Sequence, residues 1–470
     1  MCKIVFGNRF GITVMMLFFG LVLDVKAQSF SGFLTDNYSG VNSVVDNPSN
    51  IVDSRFKTDI NLIGASAFIG NDYYTGDLLE AFREWDTYNL RKKYRFNPQA
   101  NNSGEANVDV MGISAMFNIN AKNAVAIFTR ARSFFNVNGI NGEGLYNIVE
   151  EGADFTVNQD DFNAFGQAWA EIGVSYARVL INDKENFLKG GISLKYLKGG
   201  GSAFVVGRNI SLNYDADGTL HSEGGTTGSV TSTGLIALGR FENFDRENYE
   251  YEVPKGANGL GLDLGIVYEW RPNYGQYKAR KVWPHRLMYK DENKYKLKLG
   301  LSITDIGYIN YKNGIKDVFD ITNVNVSKEA LDNQPNFYDA LNNIYTLTNS
   351  SLGYRTILPS ALHLNVDWHI ENSFYLNFNT DVSLTSKDKI TTNTISDLVS
   401  ITPRYESKWF SFYMPFSVIQ HVGFQSGAGL RFGPLYLGSN TIVTNLFNKK
   451  SKSLNIYAGL KIPIFHGPIE

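Results

Sequence analysis

Apolar and polar residues alternate with period two along most of this chain. Near the C-terminus Leu454, Ile456, Ala458, Leu460, Ile462 and Ile464 alternate with Asn455, Tyr457, Gly459, Lys461, Pro463 and Phe465. A transmembrane β-strand takes about 9–11 residues tilted across the bilayer, whereas soluble strands usually run about 5–6. This run has the longer form. It recurs where Leu260, Leu262, Leu264, Ile266, Tyr268 and Trp270 alternate with Gly259, Gly261, Asp263, Gly265, Val267, Glu269 and Arg271. Tyr295, Leu297, Leu299, Leu301 and Ile303 then alternate with Lys294, Lys296, Lys298, Gly300 and Ser302. A lysine facing lipid at the bilayer midplane costs about 2–4 kcal/mol. The lysines, with Asp263 and Glu269, are therefore expected to face the lumen or the interface.

Two further runs, 359–370 and 373–385, have only Glu371 and Asn372 between them and predict a hairpin with a very short turn. In all, the pattern predicts fourteen strands, at 57–69, 107–120, 123–135, 166–181, 187–199, 258–271, 294–306, 359–370, 373–385, 397–406, 408–417, 421–432, 434–444 and 453–465. Connections after even-numbered strands are mostly short, and several after odd-numbered ones are long: 70–106, 136–165, 200–257 and 307–358. Outer-membrane barrels show this asymmetry, with short periplasmic turns and long outer loops. The expected fold is all-β: a transmembrane antiparallel β-barrel of about fourteen strands. The segment 272–293 is long for a periplasmic turn and has room for two further strands. A secreted β-sandwich or propeller would also alternate, but with shorter strands and polar outer faces.

Composition supports a barrel over a helical membrane protein. Apolar residues make up 43% of the chain while the mean hydropathy is only −0.19, so they are interleaved with polar ones. The 26 Tyr and 32 Phe suit aromatic girdles at the two membrane interfaces. Lys3 and Arg9, the apolar run 11–23 and Val25-Lys26-Ala27 have the layout of a secretory signal peptide, with cleavage expected after Ala27. Loss of 1–27 removes Lys3, Arg9 and Lys26 against Asp24, so Lys+Arg falls from 44 to 41, Asp+Glu from 46 to 45, and the net charge becomes −4. No nucleic-acid partner is expected at that charge. The single cysteine, Cys2, precedes the apolar run, so neither a disulfide nor a cysteine metal site is expected.

Candidate chemistry is sparse. His363, Asp367 and His369 would share one face of a strand, with Asp367 and His369 roughly 7 Å apart. A metal or catalytic reading is open there, but polar lumen residues ordinarily meet water, and neither a catalytic nor a metal site nor a cofactor is expected. The run Asn213-Tyr-Asp215-Ala-Asp217-Gly218 imitates a calcium loop, but position twelve is Gly224 instead of Glu, so an Asp-Gly hairpin turn is expected. Gly259-Leu-Gly261 opens no phosphate loop; these glycines are expected to thin the inner wall where a plug approaches. In the first long loop, Asp77-Leu-Leu-Glu80 has the form of a helix capping box, and Leu78, Leu79, Phe82 and Trp85 then share an apolar face that packs over the barrel mouth or docks a greasy ligand. A second loop helix is expected within 327–347.

Several segments carry a resemblance. Asn37–Ser49 followed by Asp53-Ser54-Arg55-Phe56, then Leu194–Leu197, Gly259–Glu269, Ser302–Gly307, Thr402–Glu406 and Gly427–Gly438, resemble an uncharacterised family of Bacteroidota outer-membrane barrels catalogued as a domain of unknown function. More distantly the chain looks like FadL- and PorV-type barrels, in which a short N-terminal segment carrying Asn-Pro-Ala folds into the barrel as a hatch. Here the triplet is Asn47-Pro48-Ser49. The resemblance implies a signal peptide at 1–27, a hatch at 28–56, a barrel at 57–465 and a tail at 466–470. It implies a non-enzymatic protein of the cell outer membrane, embedded in lipid and inserted by the barrel-assembly machinery through the strand ending at Phe465. Passive uptake of small hydrophobic molecules is the FadL-like function; a scaffold for a secretion-system or surface protein is the PorV-like alternative.

Overall fold

The computed structural model describes residues 30 and 32–466 apart from 78–94, 151–153, 160, 221–225, 242–243, 246–249, 252–254, 278–279, 283–284, 288–291, 323 and 386–390. The expected leader and the loop residues Leu78, Leu79, Phe82 and Trp85 lie outside the described residues.

A closed antiparallel barrel of fourteen strands forms the molecule. They are β1 Phe56–Asn71, β2 Asn102–Met111 continued by Ser114–Asn118, β3 Asn123–Ile140, β4 Phe162–Asp183, β5 Asn186–Leu220, β6 Ala257–Trp270 and β7 Leu297–Asp320. The second half comprises β8 Ala361–Glu371, β9 Phe374–Ser383, β10 Leu398–Glu406, β11 Phe410–Tyr413 with Phe416–Ile419, β12 Gly423–Ser426 with Ala428–Phe432, β13 Leu435–Ser439 and β14 Ser453–Phe465. Closure comes from β1 against β14, paired from Phe56 opposite Phe465 to Gly70 opposite Ser453 with register shifts between Phe56 and Thr58 and between Asn61 and Ile63. All fourteen segments expected from the alternation are present. The β8–β9 hairpin turns where expected, with Asn372 at φ 52 in the left-handed region that such a tight turn requires.

Alternation sorts the two faces as the physics of lipid demands. Along β6 the side chains of Leu260, Leu264, Ile266 and Trp270 are exposed, whereas Gly259, Gly261, Asp263, Gly265, Val267 and Glu269 are buried. The exposed apolar belt continues around the wall through Leu301, Leu364, Phe378, Ile401, Leu437 and Ile456. Trp270, Trp368, Tyr405 and Trp409 are exposed toward the end with short turns, as an interfacial girdle would be. No helix among the described residues is long and apolar enough to cross a membrane.

The long connections extend the wall instead of hanging free. The strand Thr226–Arg240 pairs with the distal parts of β5 and β7, and Thr346–Ile357 pairs with distal β7. Two helices, Lys328–Asp332 and Phe337–Ile344, occupy the expected 327–347 region. The 272–293 joint holds no barrel strands among its described residues. It contains a separate small hairpin, Arg280–Val282 with His285–Leu287. The expected turn at Asp217-Gly218 is corrected: β5 continues to Leu220, with Leu220 opposite Thr226 and Asn213 opposite Thr231. Continued cross-strand pairing overrides the local turn signal.

Candidate functional site

The lumen is filled from the short-turn end by the segment that precedes β1. It folds as two short 3-10 turns, Gly40–Val45 and Pro48–Ile51. Asn47 caps the second: its Oδ1 accepts from the Ser49 amide at 3.0 Å and from Ser49 Oγ at 2.6 Å. Pro48 follows at the first position of the turn, where its fixed φ suits entry and no amide is missed. The Asn47 amide then reaches the wall, donating to the carbonyls of Ile266 at 3.2 Å and Leu301 at 3.3 Å. The Asn-Pro-Ser triplet thus shapes the turn and fixes it to β6 and β7.

Apolar packing supplies the bulk of the contact. Val41, Val44, Ile51 and Val52 are fully buried among Phe56, Met111, Met116, Phe128 and Phe187 of the wall. Fully burying such an aliphatic side chain is worth about 1.5–3 kcal/mol. Close approach is possible because the wall is thinned by glycine. A Cβ at Gly191 would meet the Pro48 carbonyl carbon and the Ser49 nitrogen at 2.5 Å, and one at Gly265 would meet the Asn47 side chain. Gly259 and Gly261, the glycines singled out from the sequence, serve differently: Gly259 abuts the Tyr308 carbonyl and Gly261 the Lys195 side chain.

Around the segment runs a seam of buried charge. Asp36 accepts from Arg431 Nε at 3.0 Å, and Lys461 Nζ donates to the Tyr38 carbonyl at 2.5 Å while lying 3.3 Å from Asp59. Arg404, fully buried, donates to Asp367 at 2.9 Å, to Glu406 at 2.9 Å and to Thr35 at 3.2 Å. Asp53 pairs with Arg271 at 2.6 Å and Lys294 at 3.1 Å. Burial by itself would push the Asp53 carboxyl up, but Lys294, Arg271 and Arg55 around it outweigh that and hold it well below the usual carboxylate range. Burial likewise disfavours the ionised form of Asp36, but Arg431 and Arg404 outweigh it, and that carboxyl is also lowered.

The residues singled out from the sequence separate into several groups. Asp263 takes Lys195 at 2.6 Å, Glu269 takes Arg271, and Asp367 takes Arg404 and the Tyr295 hydroxyl; all three acids are buried in the lumen. Lys298 lies 3.8 Å from Asp367. Lys296 sits instead at the rim, donating to the Ile370 carbonyl at 2.5 Å, because β7 starts only at Leu297 and the alternation breaks before it. Tyr295 consequently points inward, against the pattern. His363, Asp367 and His369 do not assemble into one site. His369 stacks on Tyr375 and meets the Asn372 carbonyl at 2.8 Å, at the turn. His363 pairs with Asp381 at 2.7 Å and faces Asp46 of the inserted segment at 3.8 Å.

Three lumen residues were not singled out from the sequence, Asp305, Arg130 and Arg132, and of these only Asp305 breaks the alternation. By alternation Asp305 belongs on the lipid face with Ile303, but a bulge opposite Leu262 and Leu264 and a φ of 59° turn it inward. There it binds Lys195 at 2.5 Å and Arg132 at 2.6 Å. Arg130, beside it, pairs with Asp109 and lies 3.5 Å from Glu171. An aspartate on an otherwise apolar face was the available signal.

Above the inserted segment is a chamber of about 100 Å³ with a mixed polar and apolar lining. Gly32, Leu34, Thr35, Val45 and Asp46 floor it, Arg130, Arg132, Asp305, His363 and Asp381 line its sides, and Pro359, Ile395 and Ser396 roof it. Pro359 precedes β8, and Ile395 and Ser396 belong to the β9–β10 connection, which bends into the lumen. Thr392, Asn393 and Thr394 are buried, with Asn136 bonded to Thr394 through both amide atoms at 3.0 and 3.2 Å and Asn393 reaching Gln167 at 3.3 Å. Beyond it Phe134, Trp169, Leu197, Ile309, Tyr311 and Leu358 form one buried apolar cluster with Ile395 and Tyr354 against it, and Gln167, bonded to Tyr311 and Thr356, is a polar group among them.

A model described as a family of unknown function, DUF5723, matches residues 48–440. No curated protein is similar enough in sequence to count as a match. Among solved structures the chain is similar to the Ralstonia pickettii toluene transporter TbuX, with 11% identity, coverage of 91% of this chain and 94% of that one, and a TM-score of 0.40. The Pseudomonas putida toluene transporter TodX matches at 9% identity over 93% and 98% with a TM-score of 0.37. A Pseudomonas aeruginosa FadL homologue matches at 8% identity over 93% and 96% with a TM-score of 0.26.

Proposed function

This chain belongs to the DUF5723 family of unknown function, and from the layered filling of its lumen we propose that it is an outer-membrane conduit closed by its N-terminal hatch, residues 28–56, that takes up small, largely apolar molecules. The observation that carries the reading is the buried cluster of Phe134, Trp169, Leu197, Ile309, Tyr311 and Leu358 that adjoins the chamber on its outer side, Phe134 lining both. A lumen that only met water would carry polar side chains at this level. An apolar solute can be captured there, while the chamber below offers hydrogen-bonding groups to a polar end. The belt of exposed apolar residues around the wall and the expected leader at 1–27 support an outer-membrane location in this reading, with β14, ending at Phe465, as the element it offers to the assembly machinery. The reading is non-enzymatic: most of the buried charges pair with one another, some across the hatch seam and others between wall strands.

One observation favours the second reading, a static scaffold for a secreted or surface protein. The Arg431–Asp36 and Lys461–Asp59 pairs and the Arg404 cluster are at most 1% exposed in their side chains apart from Glu406 at 2%, and breaking such a buried pair costs about 3–5 kcal/mol. Proteoliposomes separate the two. A conduit admits a small aromatic solute faster than a sugar of equal size, and Trp169→Ala changes that preference. Equal exclusion of both solutes, with a protein partner cross-linked in cells, would leave the scaffold standing and end the uptake reading.

A further inference from the structure

We propose that Asp46, His363 and Asp381 form a binding site for a divalent transition-metal ion that ties the hatch segment to the barrel wall. Three separate segments deliver these side chains: Asp46 lies between the two turns of the inserted segment, His363 on β8 and Asp381 opposite it on β9. One donor atom from each lies within 4.8 Å of the others. Ligands bound at about 2.1 Å to one ion sit roughly 3–3.4 Å apart, so closure onto an ion needs only small side-chain movements.

The surroundings are those of a ligand set. His363 Nε2 lies 2.9 Å from Thr304 Oγ1, a partner that can take the Nε2 proton and leave the Nδ1 lone pair turned toward the two carboxylates. Asn379 donates to Asp381 Oδ1 at 3.1 Å, and the backbone carbonyl of Asp46 accepts from Ser302 Oγ at 2.6 Å, so both carboxylate-bearing residues are held in place. All three residues line the chamber, which provides an entry path and room for water to complete the coordination.

Charge favours an ion over a proton. Two carboxylates around one imidazolium leave the cluster one negative charge in excess, whereas two carboxylates, a neutral imidazole and a divalent cation sum to zero. One imidazole and two carboxylates suit Zn²⁺ or Mn²⁺. Ion binding releases the Nδ1 proton, and coordination of both groups replaces the 2.7 Å hydrogen bond between His363 Nδ1 and Asp381 Oδ1. Because one ligand rides on the inserted segment and two on the wall, occupancy opposes withdrawal of that segment. The inference does not depend on whether the barrel transports.

The test uses the full chain purified in detergent, without a histidine tag, stripped with chelator and titrated with Zn²⁺ by calorimetry. One ion per chain should bind, and His363→Ala or Asp46→Asn should weaken the affinity at least tenfold. Wild-type protein that takes up no stoichiometric Zn²⁺, or variants that bind undiminished, overturn the proposal. Should His363→Ala lose the heat-modifiable gel shift of a folded barrel, Asp46→Asn alone decides, since its side chain is no part of the wall. At Zn²⁺ 100 times the dissociation constant, hydrogen exchange in residues 41–52 should slow about 100-fold; unchanged exchange with bound ion overturns the bridging role.

Discussion

Gly191→Ala is a one-carbon change on the barrel wall whose effect should appear in a different part of the chain. Gly191 lies opposite Ala177 and Gly265 in the β-ladder, and alanine fits a strand there at least as well as glycine. Its Cβ, however, would stand 2.5 Å from backbone atoms of Pro48 and Ser49, against an ordinary contact of 3.4 Å or more. Backbone cannot swing aside as a side-chain tip does, so the turn at Pro48–Ile51 must withdraw by nearly an ångström. Three bonds stretch with it: Asn47 to the Ile266 carbonyl at 3.2 Å, Asn47 to the Leu301 carbonyl at 3.3 Å and Ser302 to the Asp46 carbonyl at 2.6 Å. At about 1 kcal/mol net each, the loss is about 3 kcal/mol, a factor of roughly 100 in the docking equilibrium. Hydrogen exchange followed by mass spectrometry reads this directly. Amides in 41–52 should exchange about 100-fold faster while those of β4, β5 and β6 keep their protection. Unchanged exchange in 41–52 in a folded variant would refute the seating of the segment against this wall.

Other substitutions probe the wall and the seam separately. Leu264→Arg places a charge on the lipid face and should destabilise the barrel by about 2–4 kcal/mol in a urea titration in bilayers, because Leu264 is an exposed member of the apolar belt. Arg404→Ala leaves Glu406 buried without its cation and Asp367 with only the Lys298 cation, at 3.8 Å, and should cost about 3–5 kcal/mol, seen as a lower temperature for loss of the heat-modifiable band. The seam should also resist mild acid. The carboxyls of Asp36 and Asp53 are lowered, so the stability they confer is present above the unfolded value near 3.8 and is lost as pH falls through the lower folded values. Exchange in the two ends that carry these carboxylates, 32–36 and 53–55, corrected for intrinsic rates, should therefore stay flat from pH 8 to pH 5 and rise only below about pH 4; release of those ends centred near pH 6 would contradict this assignment.

The barrel was legible because lipid enforces a simple code. An outward position has to be apolar over a whole strand, so Leu260 to Trp270 or Leu454 to Ile464 identify themselves by alternation alone. The code fails where the ladder is irregular: Asp305 is turned inward by a bulge, and Tyr295 and Lys296 precede the strand proper. The lumen was less legible because its contacts join distant segments. Asp46 meets His363, and Asp36 meets Arg431, through closure of the barrel around the inserted segment, and no local spacing encodes either pair. The glycines show the same limit. Their number on β6 suggested a close approach, but only three-dimensional packing distinguishes Gly265, which faces Asn47, from Gly259, which faces Tyr308. Likewise the inward course of 391–396 depends on Asn136 and Gln167, two polar residues among many on lumen faces.

Closure of the chamber from the short-turn side by residues 30–55 is the claim on which the rest depends. Ser400 is buried and lines the chamber above that segment. With Cys2 replaced, Ser400→Cys can be challenged with a membrane-impermeant maleimide from the short-turn face in the full chain and in one lacking 30–55. Slow labelling in the full chain and fast labelling without the segment is the expected result. Equal labelling rates in the two proteins, both folded, would contradict a lumen closed by its own N-terminal segment.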